Sequence, residues 1–187
     1  MSEKIINLEK LFKTITLRGQ AAFLLSVGEM IVNELSADTH GISLARNAMD
    51  DCWEWAEELS VAASKLYGYV DNEDEEKDLG VRELHYQQQD NQTMIAAVIA
   101  LTCIVGYIAK IAYIVEGKIS FPVCIEMMDL DFINYILENA CQTKLFDVDK
   151  AYMIMNYLTS NYLASNPEEE LGSIITQEEI MLMIKNA

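Results

Sequence analysis

Residues 94–115 read MIAAVIALTCIVGYIAKIAYIV, and whether this run crosses a bilayer or fills a protein interior decides the fold. From Met94 to Ala109 only Thr102 and Gly106 interrupt the apolar character, which resumes beyond Lys110 through Ile111 to Val115. A bilayer span takes about twenty apolar residues, so with the lysine counted the run is long enough to be considered. Its surroundings argue the other way. Lys110 has no basic flank to set an orientation, and the polar stretch Gln87 to Gln92 precedes the run. A helix apolar on every side belongs to a membrane or to the centre of a globular array. The sequence favours the second, a central helix from Gln92 to Val115 capped by Asn91 and ended by Gly117. A membrane-associated protein using residues 94–115 is the alternative.

The rest of the chain supplies helices to wrap it. Apolar residues recur at spacings of three and four, and there are two prolines and eight glycines in 187 residues, so the chain reads as all-α. A first helix is expected over Glu3 to Leu17 and a second over Gly19 to Leu35, followed by a break at Ser36 to Gly41, where His40 belongs to a turn. A third, Ile42 to Leu59, has Met49, Cys52, Trp53 and Ala56 on one face and Asp50, Asp51, Glu54, Glu57 and Glu58 on the other. A short fourth covers Ala62 to Val70, and an acidic solvated loop occupies 71–78. Beyond the central helix, Asp129 or Asp131 starts a helix through Cys141, Asp147 caps the next, Asn166-Pro167 breaks it, and Thr176 with Glu179 forms a capping box for Gln177 to Ile184. The expectation is a single globular domain, residues 1–187, of about eight helices around a central apolar one. A chain of this length buries roughly 70% of the surface it exposes when unfolded.

Composition narrows the function. Thirty acids against thirteen bases leave a net charge of −17, while 51% of the residues are hydrophobic. The apolar content excludes a disordered acidic tail, and the charge disfavours nucleic acid and anionic membrane as partners. The N-terminal residues lack a signal-peptide core, so a cytoplasmic protein is expected. Cys52, Cys103, Cys124 and Cys141 form no C-x-x-C pair and read as buried free thiols. His40 and His85 lie in no nucleophile, metal or acid–base motif, and no phosphate-cradling glycine loop occurs. No enzyme and no cofactor are expected. Asp71, Glu73 and Glu75 mimic the start of a calcium loop, but Glu76 stands where the turn glycine belongs and Arg82 where the closing glutamate belongs.

The charge is not spread evenly. Between Asp50 and Asp90 there are thirteen acids and three bases, which accounts for −10 of the total −17. On the third helix Asp50, Glu54 and Glu58 repeat every four residues, and each like-charge pair costs roughly 0.2–0.5 kcal/mol. Stability alone does not favour such a stripe. It serves either solubility or contact with a cation-rich partner. Trp53 follows Met49 on the core face, and Trp55 is turned about 200° from Trp53 by the helical period. It is either buried under the following element or exposed as an anchor inside a charged rim.

Asp51-Cys52-Trp53-Glu54-Trp55, Lys65-Leu66-Tyr67, Val70-Asp71-Asn72-Glu73-Asp74, the helix Ile95 to Tyr113 ending Ile111-Ala112-Tyr113, and Phe121-Pro122 with Ile125-Glu126 together resemble the Imm6 family of immunity proteins over roughly Ala21 to Cys141. The resemblance implies a cytosolic helical protein of a bacterial polymorphic toxin system that binds and blocks a cognate toxin domain. Many such toxins are nucleases with basic surfaces. The partner-binding candidates are then Asp50, Asp51, Glu54, Glu57, Glu58, Asp71, Glu73, Asp74, Glu75, Glu76 and Asp78, with Trp55 or Tyr69 as aromatic anchor. The competing readings are the membrane-associated protein, a helical adaptor whose acidity only aids solubility, and a small enzyme in which two of these acids meet in a pocket.

Overall fold

A computed structural model describes residues 3–186. It is all-α: α1 (Glu3–Phe12), α2 (Leu17–Ile31), α3 (Thr39–Glu58), α4 (Ala63–Tyr67), α5 (Leu79–Gln88), α6 (Gln92–Val115), α7 (Val123–Glu126), α8 (Ile133–Ala140), α9 (Val148–Asn161) and α10 (Gln177–Asn186). Tight 3₁₀ turns occupy Val32–Ala37, Glu75–Lys77 and Leu130–Phe132. The ten α-helices among the described residues exceed the eight or so expected, and the only extended pairing there is an isolated bridge of Ile15 with Leu163.

The central run is α6. Asn91 accepts the Met94 N–H through its side chain at 3.3 Å, and Gly117 turns the chain away at φ 75°, a conformation that suits a residue without Cβ. The helix is long and apolar enough to cross a membrane, yet 78% of its most apolar window is buried inside the chain itself. α2, α3, α4, α5, α8 and the turn Val32–Ala37 all pack on it. α1 and α9 pair with each other and with the α2 and α8 layer, and α10 closes over α2 and α9.

Boundaries moved where a local bond outcompeted the periodic pattern. α1 ends at Phe12, short of Leu17, because the chain turns at Thr16, whose N–H bonds the carbonyl of Tyr162 at 3.0 Å while its hydroxyl caps α2 by accepting from Gly19 at 3.3 Å. α2 therefore begins at Leu17, and its expected tail to Leu35 tightens into the Val32–Ala37 turn. His40 lies within the first turn of α3 and not in a preceding loop. α5 was not expected. It buries Leu79 and Tyr86 while Gln87 and Gln88 stay in water, too narrow an apolar stripe for periodicity to register. The capping box at α10 is only half formed: the Thr176 hydroxyl accepts from the Glu179 N–H at 3.3 Å, but Glu179 turns its carboxylate to the Tyr157 hydroxyl. All four cysteines are free thiols, with Cys52 and Cys103 buried and, against expectation, Cys124 and Cys141 exposed.

Candidate partner-binding surface

α3 separates its acids into two kinds. Asp50, Glu54 and Glu58, four apart, form an exposed column opposite buried Met49, Cys52, Trp53 and Ala56. Burial and the nearby Glu29 raise the Asp50 carboxyl, with Arg46 pulling the other way. Asp51 is instead a structural fastener. Its side chain is 14% exposed, accepts Lys65 Nζ at 2.8 Å on one oxygen and the Tyr69 hydroxyl at 2.8 Å on the other, and so ties the chain after α4 to α3. Tyr69 is half-buried by this. Burial first, then donation to Asp51, pushes its phenol well above the ordinary range. Glu57 accepts the backbone N–H of Gln177 at 2.6 Å and satisfies the start of α10.

Trp55 is 2% exposed and belongs to the core. Of its two accounts, burial holds and the exposed anchor is corrected. α3 is covered by α2 and α6 and also by α4 and α5, so a side chain turned away from Trp53 still meets protein. Glu54, Glu57 and Glu58 crowd the last turn of α3, where the helix dipole is already negative. The cation that answers them comes from α2. Arg18, 8% exposed, donates Nε to the Ala56 carbonyl at 2.7 Å, Nη2 to that of Glu57 at 3.2 Å and Nη1 to that of Gly172 at 3.3 Å.

The acidic loop is folded. Asp78 is buried at 7% exposure: one oxygen caps α5 by accepting from Val81 at 3.2 Å, and the other accepts the Asn72 N–H at 2.9 Å. It holds the loop closed and is corrected from contact residue to internal cap. Asp74 accepts from the Glu76 N–H at 3.3 Å and pairs with Lys77 at 2.9 Å, which, with the Lys77 hydrogen bond as the larger influence, lowers its carboxyl. Glu76 meets Arg82 at 3.3 Å and His40 at 3.2 Å, and His40 Nε2 donates to the Glu76 carbonyl at 2.9 Å in the tautomer that carries its proton there. Asp71 accepts from the Tyr67 hydroxyl and from Cys124 Sγ, the latter at 3.7 Å.

The three bases between Asp50 and Asp90 are thus all engaged internally, Lys65 with Asp51, Lys77 with Asp74 and Arg82 with Glu76. Asp50, Glu54, Glu58, Asp71, Glu73 and Glu75 are exposed and hold no salt bridge among the described residues. None of them lines the surface groove of about 510 Å³ between Leu44, Asn47, Ser64, Tyr69 and Asn72, whose charged lining residues are Lys65 and Lys77. Among the described residues no three His, Cys, Asp or Glu side chains converge to hold a metal ion. One small cavity, about 80 Å³, does bring Lys110, Asp129 and Glu168 together beneath Tyr107, a space for a few waters.

The fold and this surface define an acidic all-α domain in which exposed carboxylates without a salt bridge are concentrated on α3 and the loop that follows α4. The chain belongs to the Imm6 family: the family described as immunity protein Imm6 matches residues 19–143, a span holding all but the first two residues of α2, all of α3 through α8, and every acid of the 50–90 concentration. Membership implies a toxin partner and toxin neutralisation in general. No curated protein and no solved structure matches the chain.

Proposed function

We propose that the protein neutralises its cognate toxin domain by occluding a basic surface with the α3 column and the 71–76 loop, in the cytoplasm of the cell it protects, and that a nuclease is the kind of toxin whose substrate-binding face suits it. The observation that carries this reading is the set of exposed carboxylates without a cation, Asp50, Glu54, Glu58, Asp71, Glu73 and Glu75, in a region whose own bases are already consumed. Fixed surplus charge of one sign steers an oppositely charged partner at rates above the neutral norm of about 10⁵ to 10⁶ per molar per second, and the gain falls as salt screens it. The stripe's cost to helix stability also finds a purpose here, because a solubility patch does not require acids stacked four apart.

The test is association of the protein with the toxin domain encoded by the adjacent gene, measured across ionic strength. A variant carrying Glu54→Lys, Glu58→Lys, Glu73→Lys and Glu75→Lys is expected to lose at least about ten-fold in association rate at low salt, to lose the salt dependence, and to protect cells poorly. Unchanged rate, salt slope and protection would sink the electrostatic mechanism.

A further inference from the structure

The three most exposed large apolar side chains among the described residues are Ile119 at 98%, Val123 at 81% and Met127 at 80%, and all three lie between the end of α6 and the start of the Leu130–Phe132 turn. Single exposed apolar residues need no explanation, but a cluster marks a contact surface. Val123 opens α7 and Met127, in helical conformation, caps its end four residues on, so the two lie on the side away from Ile125, which is buried with Met128 against α6. Ile119 precedes Val123 by four residues, so its Cα lies within about 14 Å of it. α7 itself is held firmly: Lys110 donates to the Glu126 carbonyl at 2.8 Å and stands 5.4 Å from the Phe121 ring centre. The patch borders the acidic loop directly, because exposed Cys124, between Val123 and Ile125, reaches the Asp71 carboxylate at 3.7 Å. Glu116, Lys118, Glu126 and Asp129 are the charged residues exposed within the segment.

We infer that Ile119, Val123 and Met127 form the apolar anchor of the toxin interface, the part that loses water on binding, with the Asp71 to Glu76 loop as its charged rim. The inference rests on the toxin-binding reading above and names where that partner is held. The partner is the toxin domain, on charge complementarity: apolar side chains edged by the exposed carboxylates of Asp71, Glu73 and Glu75, which hold no salt bridge among the described residues, fit an apolar site rimmed by Lys and Arg. Anchor and rim have separable kinetics, since rim charges govern the association rate and salt slope, whereas a desolvated apolar centre governs dissociation.

The test uses the full chain and the toxin domain encoded by the adjacent gene. Val123→Ser with Met127→Ser, both on exposed positions, is expected to keep the wild-type melting temperature and salt slope while raising the dissociation rate at least about ten-fold. In the wild type, bound toxin is expected to shield Cys124 from a maleimide while exposed Cys141 still reacts. Dissociation within about two-fold of wild type, with Cys124 still reactive in the complex, overturns the inference and leaves toxin binding standing. A dimer of the chain, or binding to phosphatidylserine vesicles, that the double variant abolishes without changing toxin affinity overturns it as well. Absence of any binding by the wild type removes the functional reading first, and the anchor with it.

Discussion

The indole N–H of Trp53 donates to Oε1 of Glu29 at 3.1 Å, inside the protein. The Glu29 side chain is 2% exposed, its other oxygen takes Arg46 Nη1 at 2.6 Å, and Gln177 Nε2 reaches the indole-bonded oxygen at 3.2 Å. One buried carboxylate therefore fastens α2 to α3 and both to α10. Arg46 is 37% exposed and can turn to water if its partner is lost, so the main penalty of Glu29→Ala is the stranded indole and amide donors. That variant is expected to lose about 2–4 kcal/mol in urea denaturation. Trp53→Phe, which removes only the donor and some contact area, should lose less.

Gly41 is required by the pair it passes. A Cβ there would lie 2.1 Å from the Tyr86 hydroxyl and 2.6 Å from Oδ2 of Asp38, and those two groups are themselves bonded at 2.8 Å, joining α5 to the start of α3. Gly41→Ala is expected to cost roughly 1–3 kcal/mol, and Tyr86→Phe should relieve part of it. A double-mutant cycle by chemical denaturation checks this, and strict additivity would show that the crowding is not at the hydroxyl.

What was legible in the sequence followed from how local each signal was. Asn91 and Gly117 bracket α6 within a few residues of their partners, so that helix was readable to its ends, as were the caps at Asp147 and Thr176. The sorting of the acids was not, because it is made by distant chain: Glu57 is bound by Gln177 and Asp51 by Lys65 and Tyr69. Periodicity placed Trp55 away from Met49 correctly but does not say how many sides of α3 have neighbours. Ile119, Val123 and Met127 carried no signal at all, since an exposed apolar residue in a connecting segment looks the same in sequence as a buried one.

The acids of the 50–90 region should divide by stability as they do by geometry. Asp78→Ala removes the cap of α5 and the bond to Asn72, with an expected loss of about 1–2 kcal/mol. Glu73→Ala and Glu75→Ala, exposed and without a salt bridge, should stay within about 0.5 kcal/mol of wild type. Glu58→Gln relieves both the repulsion with Glu54 and the negative end of α3, and is expected to stabilise by roughly 0.2–1 kcal/mol. Thermal melts at low salt check all four, and a destabilised Glu58→Gln would mean that the carboxylate has a structural partner.

Stability should also fall sharply on the alkaline side. Burial and then donation to a carboxylate raise Tyr67, Tyr69 and Tyr86, whose acceptors are Asp71, Asp51 and Asp38; burial raises Tyr107; and donation to Glu179, then burial, raises Tyr157. A phenol raised in the folded state binds its proton more tightly there than in the unfolded chain. Its contribution is therefore complete below the unfolded value of about 10 and is lost as pH climbs beyond it. Because Tyr69, Tyr86, Tyr107 and Tyr157 tie α3 to the segment after α4, α3 to α5, α6 to α2 and α9 to α10, their ionisation loosens several joints together. Loss of near-UV circular dichroism is expected to coincide with a cooperative rise in tyrosinate absorbance above about pH 10. Tyrosines titrating singly at ordinary values while the helical signal stays native would show that these bonds do not hold the fold.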